Sequence, residues 1–300
     1  MPGGPRHAPA LPLPRLPSVP SLANRARRLG AALLALAMTA CAGPGGLAID
    51  RRYSAASQDS RVQFIVLHYT DGELGPSLDI LTRGPVSSHY LVDRDPPTIY
   101  QLVDETRRAY HAGASSWEGV TALNASSIGI EIVNDGYQGD RFGPYQPYPP
   151  AQIDAVIALV RDIAQRHGVR PNRIVGHSDI APTRKQDPGP MFPWRRLADA
   201  GLVPWPDEAQ VAAERPRFEA ALPPTGWFQE RLARHGFALP QDGLFDEATR
   251  DALSAFQMKY RPARYDGQPD AETAALLEVV NRPGGLWILG GDGRREPFLR

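Results

Sequence analysis

Apolar positions in this chain recur with two periods, and the periods divide it into elements. Val62-Gln63-Phe64-Ile65-Val66-Leu67 is a short apolar run that predicts a strand running into His68. Ser127 to Val133 alternates, with Ile128, Ile130 and Ile132 on one face and Glu131 on the other. Ser88 to Asp93 and Thr98 to Val103 predict two strands across the Asp95-Pro96-Pro97 turn. Arg107 to Tyr110 predicts another strand, and Arg173-Ile174-Val175 a short one that stops at Gly176-His177. Ile153, Val156, Ile157, Val160 and Ile163 form a helical stripe over 151–167, ended by Gly168, and Ser77 to Leu81 predicts a shorter helix. Strands mixed with helices predict an α/β domain over about 61–205, its sheet covered by the 151–167 helix.

Beyond Trp205 the pattern changes. Residues 206–224 are punctuated by proline, with a helical stretch from Asp207, and read as a linker. Asp242-Gly243-Leu244-Phe245-Asp246-Glu247-Ala248-Thr249 then recurs in outline as Asp266-Gly267-Gln268-Pro269-Asp270-Ala271-Glu272-Thr273, 24 residues later. In each copy the glycine suits a tight turn and the second aspartate can cap a helix that contains the threonine. With a first helix at Gly226 to His235, this predicts a small helical domain over 225–282. Residues 283–300 are rich in Gly and Arg and read as a C-terminal tail.

Lys+Arg and Asp+Glu balance at 33 each, which argues for no nucleic-acid partner. The apolar fraction of 42% is that of a globular protein. Residues 1–24 are Pro-rich; Arg25-Ala26-Arg27-Arg28, an apolar run from Leu29 to Met38, and Thr39-Ala40-Cys41 follow. The charged start, short apolar core and small-residue end are too short for a membrane span. The stretch resembles a bacterial lipoprotein signal over 1–41, which implies lipidation of Cys41 and a membrane anchor there. A plain secretory signal with an incidental cysteine is the alternative. Ala42 follows where an aspartate would suggest inner-membrane retention, so an outer-membrane lipoprotein facing the periplasm is expected in a diderm host. Cys41 is the only cysteine, so the folded part has neither disulfides nor a thiolate ligand, and 42–60 reads as a tether.

The candidate chemistry lies at two strand ends. His68 and His177 each follow an apolar run, and the loop after His177 carries Lys185 and Asp187 before stopping at Pro188-Gly189. Two neutral imidazoles and a carboxylate make three protein ligands, leaving a fourth zinc position open for water. Lys185 would reach into the same space.

Five blocks then appear in order: His68-Tyr69-Thr70, Ser88-His89-Tyr90-Leu91-Val92, His111-Ala112-Gly113-Ala114-Ser115, Ile128 to Asn134, and the His177–Asp187 loop. Together they resemble the zinc-dependent N-acetylmuramoyl-L-alanine amidases of type 2, related to peptidoglycan recognition proteins. The nearest likeness is to the outer-membrane lipoprotein amidases. The 24-residue repeat resembles the three-helix peptidoglycan-binding domain of wall hydrolases, with a helical dimerisation module as the alternative. The resemblance implies a mixed β-sheet flanked by helices, Zn2+ held by His68, His177 and Asp187, and Glu131 and Lys185 acting on the reacting amide. Tyr69 and Asn134 are taken as candidate substrate contacts; so is His111, in a Gly-containing loop beside Trp117, with the metal as its lesser alternative. The implied reaction is hydrolysis of the amide between the lactyl group of muramic acid and L-alanine, in peptidoglycan and muropeptides, by a monomer.

Two other functions remain compatible with such a fold. A non-catalytic peptidoglycan receptor would typically lose a metal ligand, and here all five site positions are filled. A passive wall-tethering lipoprotein would need only the C-terminal domain. Among the other histidines, His167 and His235 precede glycines at predicted helix ends, and His89 reads as a core or supporting residue. All site residues precede Trp205 and the repeat follows it, so the pattern suggests two separable parts.

Overall fold

The computed structural model describes residues 49–299, so the signal-like segment and Cys41 lie outside the described residues. Of the described residues, 49–58 fall in one unit, in which Arg52 Nη2 donates to Asp50 Oδ2 at 2.6 Å, and 59–299 fall in a second, compact one. In the order of the chain, the second unit begins with β1 (Phe64–Tyr69), α1 (Leu74–Arg83), β2 (Tyr90–Val92) and β3 (Ile99–Gln101). A small hairpin, β4 (Ser116–Trp117) and β5 (Val120–Thr121), precedes β6 (Ser127–Ile132), α2 (Pro150–His167), β7 (Ile174–Gly176) and α3 (His177–Ile180).

These strands build a five-stranded sheet in the order β3-β2-β6-β1-β7. β1, β2, β6 and β7 run parallel, and only the edge pair β2–β3 is antiparallel. It is the mixed sheet flanked by helices that the resemblance implied. Its pleat directs alternate residues to opposite faces. Ile65, Leu67, Ile128, Ile130 and Ile132 pack with Ile153, Val156, Val160 and Ile163 of α2. Pro150 opens α2, where the missing N–H costs nothing, and Gly168 ends it at φ +68.

The opposite face carries Phe64, Val66 and Val175, and its cover comes from the far end of the sequence. After α4 (Trp194–Asp199) and β8 (Trp205–Pro206) come α5 (Glu208–Ala220), α6 (Thr225–His235), α7 (Glu247–Tyr260) and α8 (Ala271–Val280). Phe228, Leu232, Phe256 and Leu277 of these helices share one core with Phe64, Val66, Trp117 and Val175. Trp205 therefore marks a change of sequence pattern, and no gap in packing.

Within the helical region the repeat behaves as its sequence suggests. Asp246 Oδ1 accepts from Thr249 N and Asp270 Oδ1 from Thr273 N, each at 2.8 Å, so both aspartates cap their helices. A feature absent from the repeat pattern completes it. Gln229 and Gln257, both fully buried, hold the two turns by accepting from Gly243 N (2.7 Å) and Gly267 N (2.9 Å) and donating to Thr249 and Thr273.

Two expectations need correction. Arg107–Tyr110 forms no strand: its backbone link to the neighbouring segment is the single bond from Ser87 N to Tyr110 O, too little to sustain a ladder. The Gly- and Arg-rich end is structured, with β9 (Leu286–Leu289) lying between β8 and β10 (Arg295–Pro297). Trp287 anchors it in the α2-side core, which explains how so polar a stretch is held. No helix among the described residues is long and apolar enough to cross a membrane.

Candidate metal centre

Register brings the site together. Across the parallel pair β1–β6, His68 stands opposite Glu131, and across β1–β7, Leu67 stands opposite Gly176. His68, Glu131 and His177 therefore lie at one level at the carboxyl ends of three adjacent strands, where open α/β sheets leave a crevice. Asp187 arrives from the loop after α3, which closes on itself through Ser178 N donating to Asp187 O at 2.8 Å.

His68, His177 and Asp187 are the group among the described residues suited to hold a metal ion, and all three are buried. His68 Nδ1 lies 3.0 Å from His177 Nδ1 and 2.9 Å from Asp187 Oδ2; His177 Nδ1 lies 3.0 Å from the same oxygen. Three lone-pair atoms facing one another at this spacing repel unless a cation or proton lies among them. Tetrahedral zinc with bonds of about 2.0–2.1 Å needs donors roughly 3.3 Å apart, so a shift of a few tenths of an ångström suffices. The donor set fits zinc.

Burial, with the His177 charge adding to it, pulls His68 down to about 4, so its imidazole is neutral and able to ligate at neutral pH. Burial alone would raise Asp187. The attraction of His177 and the close contacts of both imidazoles with its Oδ2 outweigh it and hold the carboxyl well below its usual range.

His68 is supported from behind. With Nδ1 kept for a metal, its Nε2–H donates to His111 Nδ1 at 3.0 Å. The other nitrogen of His111 meets Ser127 Oγ at 3.1 Å, and that hydroxyl donates to Leu123 O at 2.7 Å. Burial first, then the neighbouring histidines, hold His111 well below its ordinary value, so it stays a neutral acceptor. Gly129 is needed for this arrangement, since a Cβ there would stand 2.4 Å from the His111 ring.

Beside the three ligands opens a cavity of about 300 Å³ lined by His68, Tyr69, His111, Glu131, Tyr137, His177, Lys185 and Asp187, with Ile80, Val86 and Tyr110 at its rim. Glu131 Oε2 is buried without a hydrogen-bond partner. Burial, reinforced by Asp187 and opposed by Lys185, holds Glu131 well above the usual carboxylate range. A lone, raised carboxyl in a cleft next to a metal-ligand set is the mark of a group poised to move protons.

The structure thus brings seven of the eight sequence-assigned site residues in the described part into one cavity. The exception is Asn134, whose side chain braces the next loop: Oδ1 accepts from Gly136 N at 2.9 Å and Nδ2 donates to Gln146 O at 3.2 Å. Gly136, at φ +64, allows Tyr69 to pack against that loop, because a Cβ would meet its ring at 2.8 Å. His111 lines the cavity, yet both its ring nitrogens face protein partners. His89 is fully buried, accepting from Gly129 N at Nδ1 and donating from Nε2 to Arg107 O, both at 3.1 Å. Ser127 and Asp179 went unmarked in the sequence. Asp179 had a signal, a carboxylate two residues after a ligand; Ser127 had none.

Comparison with known proteins agrees with this geometry. The family model for N-acetylmuramoyl-L-alanine amidase matches residues 58–190, and one for a peptidoglycan binding domain matches 223–277. The chain is 41% identical over 263 residues to the N-acetylmuramoyl-L-alanine amidase AmiD of Escherichia coli K12, covering 82% of this chain and 94% of the relative. AmpDh3 from Pseudomonas aeruginosa, solved in complex with an anhydromuramic pentapeptide, superposes with a TM-score of 0.72 at 40% identity, covering 77% of this chain and 96% of that one. Escherichia coli AmiD, solved with the substrate anhydro-N-acetylmuramic acid-L-Ala-D-gamma-Glu-L-Lys, gives a TM-score of 0.70 at 40% identity, covering 80% and 96%.

Proposed function

The chain belongs to the N-acetylmuramoyl-L-alanine amidase family, and we propose that it uses a zinc ion at His68, His177 and Asp187 to cleave the amide between the lactyl group of N-acetylmuramic acid and L-alanine. The observation that carries this reading is the convergence of three ligand atoms beside the unpartnered carboxyl of Glu131 in one open cavity. When bound there, zinc supplies Lewis acidity and a nucleophile at neutral pH by lowering the pKa of water to about 7. Glu131, raised by burial, takes the proton of the attacking water and passes it to the departing amine of L-alanine. Lys185, on the cavity wall, offers its ammonium to the oxygen on which negative charge develops. Ile80, Val86 and Tyr110 give the rim an apolar surface against which a sugar or lactyl group can lie.

Because two related structures hold anhydromuramoyl peptides, such peptides are the first substrates to try. The helical region, matched by a peptidoglycan binding domain, would keep the enzyme on insoluble wall. Lipidation at Cys41 would hold a monomer on the periplasmic face of the outer membrane, a reading supported by the sequence of the first 42 residues alone. The test is mass spectrometry of anhydro-N-acetylmuramoyl tripeptide incubated with the full chain. Release of a free peptide beginning with L-alanine, abolished by a zinc chelator, is expected; cleavage at another bond or none would end the proposal.

A further inference from the structure

Among the 33 Lys and Arg residues of the chain, lysine stands at two positions only, 185 and 259. Lys185 lines the cavity. Lys259 comes from α7, in the helical region matched by the wall-binding family, yet it is buried beneath the same site. Its Nζ lies 2.8 Å from Asp179 Oδ2, with side-chain exposures of 8% and 2%. The ammonium also sits over the Trp194 ring, 4.2 Å from its centroid, a closed space suited to a compact cation more than to a planar guanidinium.

The same oxygen of Asp179 accepts from Gly176 N at 2.8 Å, at the residue before the ligand His177. Gly176 in turn packs so closely on Pro188, the residue after the ligand Asp187, that a Cβ would stand 2.7 Å from its ring. Ser178 N donating to Asp187 O completes the floor. Two of the three ligands thus stand on one buried carboxylate, and the countercharge of that carboxylate comes from the other end of the chain. A buried carboxylate deprived of its partner either draws water or moves, and its neighbours move with it.

We propose that Lys259 is a positioning residue for the metal centre, acting through Asp179 on the backbone that presents His177 and Asp187. The inference rests on the zinc reading above. It makes the helical region a working part of the catalytic site, in addition to any hold on the wall.

The test compares the full chain with its Lys259→Met variant, and with Lys259→Met/Asp179→Asn, in which the buried charge is removed with its partner. Zinc affinity is read by competition with a chromogenic chelator, folding by circular dichroism, and turnover at saturating zinc. Both variants are expected to fold and to bind zinc about 10–100-fold more weakly, the scale of support to a metal ligand, with the loss of turnover in kcat and sacculus binding unchanged. Folded variants that bind zinc within about threefold of wild type would overturn the proposal, being below the effect of a supporting contact. If neither variant folds, Lys259 is a folding residue and the positioning role is withdrawn. If the wild-type chain itself binds no zinc, the metal reading fails first, and the two failures are told apart.

Discussion

The sheet and the helical region solve the same problem, holding polar side chains inside a core, in opposite ways. In the sheet the key residues are far apart in sequence, and parallel register sets His68, Glu131 and His177 at one level. In the helical region the polar supports are local: Asp246 with Thr249, Asp270 with Thr273, and one buried glutamine for each turn. The helical network satisfies its donors and acceptors and is built to stay still. The sheet leaves Glu131 Oε2 without a partner and three ligand atoms facing one another. At the metal-ligand set the unpartnered oxygen faces an open cavity, whereas the two turn glutamines are paired at both ends.

The strongest way to break the comparison is to separate the regions. Ending the chain after Trp205 would expose Phe64, Val66, Trp117 and Val175, which now share a core with α6–α8. Each large buried side chain contributes about 1.5–3 kcal/mol, so exposing these four costs about 6–12 kcal/mol, comparable to the whole stability of a domain, roughly 5–15 kcal/mol. The shortened chain is therefore expected to show no cooperative thermal transition. A folded fragment that cleaved soluble muropeptides would restore the two separable parts that the sequence pattern suggests.

The next effect is confined to chemistry. Glu131→Gln is expected to keep zinc and lower kcat by about 10²–10⁴-fold, the scale of a general base; a loss under tenfold would place the proton work elsewhere. The same variant sharpens the contrast in stability. The folded carboxyl is held above its ordinary 4.5, so its contribution is fully present below that pH and is lost as pH rises through the raised value. In metal-free protein at pH 7–8, Glu131→Gln should therefore melt higher by about 2–4 °C for each kcal/mol relieved. The gain should vanish below about pH 4.5, where Glu131 is protonated in both states. A gain that persisted in acid would refute the electrostatic origin.

On the satisfied side, Gln257→Ala should do the reverse. It strips partners from Gly267 N, Gln268 O and Thr273 Oγ1, at a cost of about 1–3 kcal/mol for buried groups left unpaired. Calorimetry should show a lower Tm, with kcat on small muropeptides unchanged. The smallest effect is expected from Asp246→Ala, an exposed cap worth about 1 kcal/mol; a change in zinc affinity from either variant would blur the division between the regions.

Much of this was legible in the sequence because it is periodic or terminal. The 151–167 stripe, the strand ends at His68 and His177, and the 24-residue repeat all depend on neighbours in sequence. What was hidden depends on distant pairing. Arg107–Tyr110 has strand-like residues and lacks a ladder partner, whereas Leu286–Leu289 finds one in β8. Gln229 and Gln257 stand at different distances before their turns, so the repeat does not announce them. His111 reads as a loop residue until β6 places Ser127 and Gly129 around its ring. Lys259, 80 residues from Asp179, could be found only once the helices were packed.

The central claim is that His68, His177 and Asp187 hold the ion that makes this cavity an amidase site. The most direct measurement is an anomalous difference map at the zinc absorption edge from crystals of the full chain. One peak is expected, within about 2.0–2.2 Å of His68 Nδ1, His177 Nδ1 and Asp187 Oδ2. A peak between His68 Nε2 and His111 Nδ1, or no peak in a zinc-saturated crystal, would contradict the account.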